Sequence, residues 1–142
     1  MQDVIIDHNT MINYLGQPVT VSHYLQRNGL NKGQRFVWVN NITGATNYGF
    51  VGGTASSMSD ACDAASYMTN CAWIDIASSG YSAGTFPSGN LFPADIPAVQ
   101  FVDYATGNYA LAGGSPYKGQ GRSSPGVIDG TDIGCNMALL PS

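Results

Sequence analysis

The sequence predicts an all-β chain folded as a right-handed parallel β-helix, a solenoid of short stacked strands, and three observations predict it. Only 10% of the 142 residues are charged, and all nine acidic residues are Asp. This composition disfavours exposed helices, because Glu forms helices well whereas Asp prefers turns and caps. The other two observations are short β-branched runs that end at Asn and the nearly constant spacing at which such runs recur.

The first strand is predicted in Val4–Asp7, a run that turns polar at Asn9 and then resumes as a second apolar stretch. Strand, tight turn and strand is the simple interpretation. A second copy begins with Phe36–Val39 and turns at Asn41, which lies 32 residues after Asn9. The spacing indicates a repeat.

Two further strands complete the predicted repeat. The same spacing leads next to Trp73–Ile76, where the apolar run returns without an Asn at the turn, and a comparable distance leads to Val99–Asp103. Equivalent strands at regular spacing are typical of a solenoid whose coils share one parallel sheet. We therefore expect a single domain with coils near 4–35, 36–70, 71–98 and 99–142, the last as an end cap.

The repeated Asn has a physical role in such a stack. Asn tolerates the left-handed backbone region that a corner needs, and its amide can bond to the Asn of the next coil. We therefore expect an Asn ladder that stabilises the bend. The alternative is that Asn9, Asn40 and Asn41 contact a ligand.

The segments between the strands read mainly as turns and loops. Gly44–Gly53 is Gly-rich but lacks the Lys and hydroxyl residue of a phosphate-binding loop. Ser57–Met68 has the composition of a short helix or an irregular loop. Phe86–Pro93 contains two prolines, so it cannot form an interior strand.

Three cysteines are present, an odd number without a C-x-x-C pair. A zinc knuckle and a dithiol redox motif are therefore not indicated. A disulfide between Cys62 and Cys71 is one interpretation. The other is that Cys62, Cys71 and Cys135 are buried thiols that act as small apolar residues.

Charge and hydrophobicity exclude two classes of partner. The formal net charge is -4 with only five Lys and Arg residues, too few to neutralise phosphates, so we expect no nucleic acid partner. The apolar runs are far shorter than the about 20 residues that span a bilayer, so we expect no membrane partner. No signal peptide opens the sequence, and any export signal is expected upstream.

The turn and end segments resemble the C-terminal region of bacterial proteins described as right-handed parallel β-helix repeat-containing. The resemblance covers nearly the whole chain and rests on Asp7–Thr10, Asn40–Ile42, Tyr81–Pro93, Val99–Tyr104, Gly107–Leu111, Ser115–Lys118 and Asp129–Gly134. It implies the end cap of a longer stack of coils, an extracellular or periplasmic location and an association with polysaccharide. The chain departs from the family pattern at the Arg122–Ile128 insertion and at Cys135-Asn136.

The family's chains are longer, so the resemblance implies that upstream coils are missing. An uncapped coil at Val4–Ile6 would expose apolar surface and unpaired strand edges. We therefore expect a homodimer or a higher oligomer formed through the N-terminal coil.

Asp7, His8 and Ser22 are candidates for a hydrolytic triad. No Gly-x-Ser-x-Gly elbow is present, and alternation along a strand would point Asp7 and His8 to opposite faces. A corner His that caps a backbone carbonyl is the alternative interpretation.

Carboxylates from neighbouring coils suggest a second catalytic arrangement. Asp7, Asp75 and Asp103 occupy roughly equivalent coil positions, where paired carboxylates would serve as acid and as base or nucleophile in glycoside hydrolysis. Turn capping is the alternative for each of them. Lyase chemistry would need a base such as Arg35, but no paired acidic site accompanies it in the sequence.

Candidate ligand contacts complete the predicted site. Asp129 and Asp132 offer two oxygen ligands in one turn, so calcium is a possible cofactor, although a turn stabilised by Asp is the alternative. Aromatic side chains on an elongated face suit the stacking of sugar rings. The candidate substrate-binding residues are Tyr48, Tyr81, Tyr104 and Arg35.

Three functional hypotheses follow from the sequence. The first is an extracellular carbohydrate-associated module that binds polysaccharide or acts on it as a hydrolase or lyase. The second is a structural module that self-associates without catalysis. The third is a small hydrolase that uses His8.

Overall fold

The computed structural model describes residues 2–12, 25–27, 32–44, 51–53, 57–123 and 127–139. No helix in these ranges is long and apolar enough to cross a membrane. The strands are β1 (Gln2–Asp7), β2 (Thr10–Met11), β3 (Leu25–Arg27), β4 (Gln34–Val39), β5 (Ile42–Gly44), β6 (Val51–Gly53), β7 (Tyr67–Thr69), β8 (Ala72–Ile74), β9 (Phe101–Asp103) and β10 (Asn108–Leu111). Helix α1 spans Met58–Ala61, and 3-10 turns occupy Ile76–Ser79, Ala83–Thr85, Pro97–Val99, Tyr104–Thr106 and Met137–Leu139.

Eight of the strands form three small parallel sheets, in the orders β1-β4-β7, β2-β5-β8 and β3-β6. Ile6 lies opposite Trp38, and Trp38 lies opposite Met68. Ile42 likewise lies between Thr10 and Ala72. Successive passes of the chain are therefore in register, first 32 and then 30 residues apart.

The prediction of a right-handed parallel β-helix is wrong. In the described residues, the small parallel sheets and one antiparallel pair do not close into a solenoid. Trp73 was expected to continue the strands that begin near Val4 and Phe36, but it lies in β8, in a different sheet. A spacing of 32 residues reaches Trp73 only when it is counted from the corner at Asn41, and Trp73 pairs with Thr43 of β5, whereas Tyr67–Thr69 of β7 pair with β4.

The expected fourth coil at Val99–Asp103 is also wrong. Strand β9 pairs antiparallel with β10. The 3-10 turn at 104–106 ends at Gly107, whose φ is 83°. Glycine adopts this left-handed conformation without steric cost, so the chain reverses there instead of making another parallel pass.

Three corner residues are stacked where β1, β4 and β7 end. They are His8, Asn40 and Asn70, and their φ angles are 52°, 53° and 54°. Apart from glycine, Asn, Asp and His are the residues most often found in this region, so residue type and conformation agree. Asn70 thus continues the column of His8 and Asn40, whereas the Asn expected to be lost after Asn9 and Asn41 is indeed absent, because Cys71 stands in its place.

The predicted amide contact between Asn9 and Asn41 is confirmed. Asn41 Oδ1 accepts hydrogen bonds from the Asn9 backbone N at 2.8 Å and from Asn9 Nδ2 at 3.1 Å. Cys71 occupies the next position of this column, where its thiol donates to the carbonyls of Thr69 and Trp38 at 3.3 and 3.6 Å. A cysteine thus replaces the third amide of the ladder.

The buried side chains form two clusters. In the first, the indole rings of Trp38 and Trp73 stack with centroids 6.1 Å apart, although the two residues lie in different sheets. The first cluster contains Phe36, Trp38, Ala61, Cys62, Met68, Cys71 and Trp73. The second contains Ile42, Ala72, Ile74, Val99, Leu111, Tyr117 and Ile133. Both clusters therefore contain side chains from the strands and side chains from the segments outside them.

The C-terminal residues fold back over the stacked corners. Gln120 O accepts a 2.8 Å hydrogen bond from Asn70 Nδ2, and Gly134 N donates to Asn40 O at 2.7 Å. At Gly134, where φ is 90°, an added Cβ would lie 2.7 Å from Ile42 Cδ1. This close approach requires glycine, and the two bonds place Gln120 and Gly134 against the stacked corners.

Candidate functional site

The strongest constellation of polar side chains begins at the first corner. The Asp7 carboxylate lies 2.7 Å from His8 Nδ1. Alternation had predicted opposite faces for the two residues, but it applies only within a strand. Strand β1 ends at Asp7, and His8 has a positive φ. The left-handed corner therefore turns the imidazole towards the carboxylate.

Asn40, at the corner of the next pass, holds the Asp7 carboxylate in place. Its Nδ2 donates to Asp7 Oδ1 at 2.8 Å and to Arg122 O at 2.9 Å, while its Oδ1 accepts from Asn70 Nδ2 and Arg122 N. A side-chain amide has two donor hydrogens and two acceptor lone pairs, so all four are used. Asn40 is fully buried, which makes this network a fixed support for the corner.

Thr131 completes the constellation from the other end of the chain. Its Oγ1 lies 2.8 Å from His8 Nε2, and it also donates to Asp129 Oδ1 at 2.6 Å. The hydroxyl and the backbone amide of Thr131 together lower the pKa of Asp129 below its ordinary value. Asp7, His8, Thr131 and Asp129 thus form one continuous hydrogen-bonded chain, which we call the corner relay.

Gly121 leaves room for the corner relay. A Cβ at this position would lie 2.0 Å from Thr131 Oγ1 and 3.0 Å from His8 Nε2. The Gly121 backbone N also donates to Thr131 O at 2.7 Å, and its carbonyl accepts from Asp129 N at 3.0 Å. The absence of a side chain therefore lets two segments approach closely beside the imidazole.

The sequence indicated Asp7, His8 and Asp129 as candidate site residues. It did not indicate Thr131 or Gly121, nor the hydrogen bond by which Asn40 supports Asp7. Thr131 lies 123 residues from His8, and no local pattern connects them. The sequence did contain a signal for the stacked corners, because Asn40 and Asn70 lie 30 residues apart. This pair marks the shorter spacing between the second and third passes. Ser22, the other expected member of a triad, lies outside the described residues, as do His23 and Tyr48.

Asp75 and Asp103, the other predicted catalytic carboxylates, are engaged in local turns. Asp75 Oδ2 accepts from Ser78 Oγ at 2.6 Å at the start of a 3-10 turn. Asp103 Oδ1 accepts from the backbone N of Thr106 at 3.3 Å and so caps its turn. Asp103 therefore matches the turn-capping alternative, whereas the Asp75 side chain makes no cap bond to a backbone N–H, and neither carboxylate joins the corner relay.

Arg35 and Tyr104, two of the predicted substrate-binding residues that the structure describes, have different partners. Arg35 Nη2 donates to Asp3 Oδ2 at 2.7 Å, and this ion pair lowers the pKa of Asp3. Tyr104 packs in an aromatic group with Phe101 and Tyr109, at centroid distances of 6.2 and 5.8 Å. The described contacts of Arg35 and Tyr104 therefore do not join them into one binding face.

The two candidate calcium ligands are directed to different partners. Asp129 bonds Thr131, whereas Asp132 accepts from Lys118 Nζ at 3.0 Å and from Gly119 N at 2.8 Å. Within the described ranges there is no group of three or more His, Cys, Asp or Glu residues that could hold a metal ion. The observed contacts are those of a stabilised turn.

The cysteines are free thiols, so the disulfide between Cys62 and Cys71 is absent. Cys62 and Cys71 are buried, as the alternative interpretation expected, while Cys135 is half-buried. Burial raises the pKa of the Cys71 thiol to about 12. Cys71 is therefore a structural hydrogen-bond donor rather than a nucleophile.

A second candidate site is a groove of about 720 Å³ between the α1–β7 region and residues 85–88. We call it the hydroxyl groove, because half of its lining residues are Ser or Thr. Its lining residues are Ser57, Ser59, Asp63, Ala64, Ser66, Tyr67, Met68, Thr69, Thr85, Phe86, Pro87 and Ser88.

Asp63 supplies the fixed negative charge of the hydroxyl groove. Its Oδ1 accepts from Ser66 Oγ at 2.6 Å and from the backbone N of Arg35 at 3.1 Å. Both bonds lower the pKa of Asp63, with Ser66 the larger cause. The carboxylate is therefore ionised at neutral pH and anchored at one oxygen.

Comparison of this chain with models of protein families, with curated proteins and with solved structures finds no match.

Proposed function

We propose that this protein is an extracellular, carbohydrate-associated module that binds polysaccharide in the hydroxyl groove. The observation that carries the proposal is the combination of many hydroxyls, one anchored carboxylate and aromatic surface along a single concavity. Sugars present closely spaced hydroxyl groups and apolar ring faces, so groups of these three kinds suit them. These groups support the proposal that polysaccharide binds at this groove.

The size of the hydroxyl groove suits a short stretch of a glycan. Its volume of about 720 Å³ falls in the range of roughly 300–1,000 Å³ that is usual for small-molecule sites. Tyr67 and Phe86 contribute aromatic surface, and both are half-buried. An open groove lets the polymer continue beyond the bound residues.

The direct test is titration of the full chain with a panel of soluble neutral and acidic polysaccharides, followed by calorimetry or fluorescence. We expect saturable binding that Asp63→Asn weakens, because the charged acceptor for sugar hydroxyls is lost. Asp95→Asn is the matched control, since Asp95 caps a turn at Ala98 and does not line the groove. Binding that Asp63→Asn and Tyr67→Ala leave unchanged would remove the groove from consideration.

A second candidate function, self-assembly, is favoured by the position of β1. Strand β1 is terminal in the order β1-β4-β7, so the described residues pair only one of its edges. Ile5, at the middle of β1, is 71% exposed. A long edge strand with exposed apolar surface is suited to pairing with a second copy.

Light scattering combined with size exclusion distinguishes the two functions. Self-assembly predicts a dimer or larger species that Ile5→Lys converts to monomer without loss of folding. Val102→Lys is the control, because Val102 is also exposed, at 56%, but lies on β9. A monomer at high concentration together with glycan binding would favour the first function alone.

A further inference from the structure

We propose that Asp7, His8 and Thr131 form an acyl-transfer site in which Thr131 is the nucleophile towards carboxylic esters. This inference goes beyond glycan binding, because none of these three residues lines the hydroxyl groove. It rests on two consecutive contacts, from Asp7 to His8 Nδ1 at 2.7 Å and from His8 Nε2 to Thr131 Oγ1 at 2.8 Å. Nucleophile, base and orienting carboxylate are thus joined in the required order.

Asp7 fixes the role of each imidazole nitrogen. A carboxylate beside Nδ1 favours the tautomer that carries the hydrogen there, which leaves the Nε2 lone pair facing the hydroxyl. Asp7 is itself held by the buried Asn40 amide at 2.8 Å. The base is therefore oriented by residues on two stacked corners.

The nucleophile lies within hydrogen-bonding reach of two bases. Its distance of 2.8 Å from His8 Nε2 is inside the range that proton transfer needs. In the resting protein the hydroxyl donates its one proton to Asp129 Oδ1 at 2.6 Å. Deprotonation by His8 requires only that this hydrogen bond turn from one acceptor to the other.

A substrate can reach the nucleophile because Thr131 is exposed and because Gly121 has no side chain to cover it. Thr131 is exposed, and the His8 side chain is 28% exposed. A Cβ on Gly121 would fall 2.0 Å from the nucleophilic oxygen. The site therefore suits a small acyl group, such as acetyl, on an alcohol that remains in solvent.

The reaction balances without an oxidant or reductant. Thr131 Oγ1 attacks the ester carbonyl carbon while its proton passes to His8 Nε2, and the carbonyl electron pair moves to oxygen. Collapse breaks the bond to the alcohol, which leaves with the proton from Nε2. Water then gives a proton to Nε2, attacks the acyl-threonine, and releases the acid as Thr131 Oγ1 recovers its proton.

The test uses the full chain and p-nitrophenyl acetate. We expect a burst of p-nitrophenol and, after acid quenching and digestion, one acetyl group on the peptide that contains Thr131. Because the adduct is sought on the unaltered protein, this measurement does not depend on the stability of any variant. Absence of an acetyl group on Thr131, or its presence only on lysines and tyrosines, would overturn the proposal.

Substitutions assign the roles in turnover. Thr131→Val and His8→Ala should each lower kcat/KM by about 100-fold or more, the usual size of a general-base contribution, while Thr131→Ser should retain activity. Thr106→Val is the control, because the backbone N of Thr106 donates to Asp103, as that of Thr131 donates to Asp129, but Thr106 has no described bond to His8. Equal activity of the Thr131→Val and Thr106→Val proteins would overturn the assignment.

Asp7 acts through His8 and is therefore a positioning residue. Asp7→Asn should lower kcat while KM stays nearly constant, because the amide favours the other tautomer without filling the substrate site. A purely structural role would instead lower the melting temperature and leave the kcat of the folded fraction unchanged.

Discussion

The parallel stack from β1 to β8 and the C-terminal part from residue 97 to residue 139 are held together in different ways. In the stack, side-chain amides at the corners bond from one pass to the next, as Asn70 does with Asn40 at 2.8 Å and Asn9 with Asn41 at 3.1 Å. In the C-terminal part, side chains mostly cap their own turns, as Asp103 does with Thr106. A single substitution in the stack should therefore destabilise neighbouring passes as well, whereas one in a turn should affect only that turn.

The largest effect is expected at Asn40. Asn40→Ala removes four hydrogen bonds, leaves buried partners unsatisfied and puts alanine at a φ of 53°. We expect the free energy of unfolding to fall by at least about 3 kcal/mol. Chemical denaturation measures it.

Two further variants sharpen that result. Asn40→Gly keeps the left-handed corner but lacks the amide, so it should be less destabilised than Asn40→Ala by about 1 kcal/mol. Asn108→Ala, in the C-terminal part, loses only a local bond to Ala110 N at 3.2 Å and should cost about 1 kcal/mol. Similar losses for Asn40→Ala and Asn108→Ala would contradict the comparison.

The next effect concerns the contact between the two regions. Gly121→Ala would place a Cβ 2.0 Å from Thr131 Oγ1 and 2.9 Å from Thr131 O, so the segment must shift away from His8. We expect a loss of about 2 kcal/mol, typical of overpacking, measured by thermal or chemical unfolding. Gly113→Ala, whose Cβ would meet no atom within 4 Å, should be nearly neutral, and equal losses would argue against a close contact.

A smaller effect, of opposite sign, is expected inside the stack. Thr43 is fully buried, and its hydroxyl has no hydrogen-bond partner in the described part of the chain. Thr43→Val keeps the shape and removes the unsatisfied group, so it should stabilise the protein by about 1 kcal/mol. Thr10→Val should destabilise it instead, because Thr10 Oγ1 accepts from Cys135 N at 3.0 Å. Destabilisation by Thr43→Val would show that the hydroxyl is satisfied.

The same comparison explains how far the sequence could predict the fold. The contact between Asn9 and Asn41 was predictable, because β-branched runs and Asn corners repeat at a spacing of 32 residues. The third pass was misplaced, because 32 residues counted from the corner at Asn41 lead to Trp73, which lies opposite Thr43 of β5 rather than opposite β4. The antiparallel return of β10 was not predictable from repetition, because it depends on a turn at Gly107.

The candidate sites were predictable to a smaller extent. Asp7 and His8 stood out as neighbouring polar residues, yet their pairing depends on the positive φ of His8. Thr131 reaches them only because the chain folds back across the corners, a contact that spans 123 residues. The hydroxyl groove likewise joins Ser57 to Ser88, residues that no motif connects.

The smallest effect is expected on acidification of the exposed carboxylates. The pKa of Asp129 is lowered by the Thr131 hydroxyl from its ordinary value of 3.8, so the folded state binds this proton less readily than the unfolded chain. The resulting stabilisation is present above pH 3.8 and is lost as the pH falls through the lower folded pKa. Asp129→Asn should therefore have a slightly lower melting temperature than the unaltered protein at neutral pH, and the difference should narrow below pH 3.8. Thr131→Val removes the main cause of the lowered pKa, so its difference in melting temperature from the unaltered protein should narrow in the same way. A difference that stays constant across this pH range would exclude a contribution of Asp129 ionisation to stability.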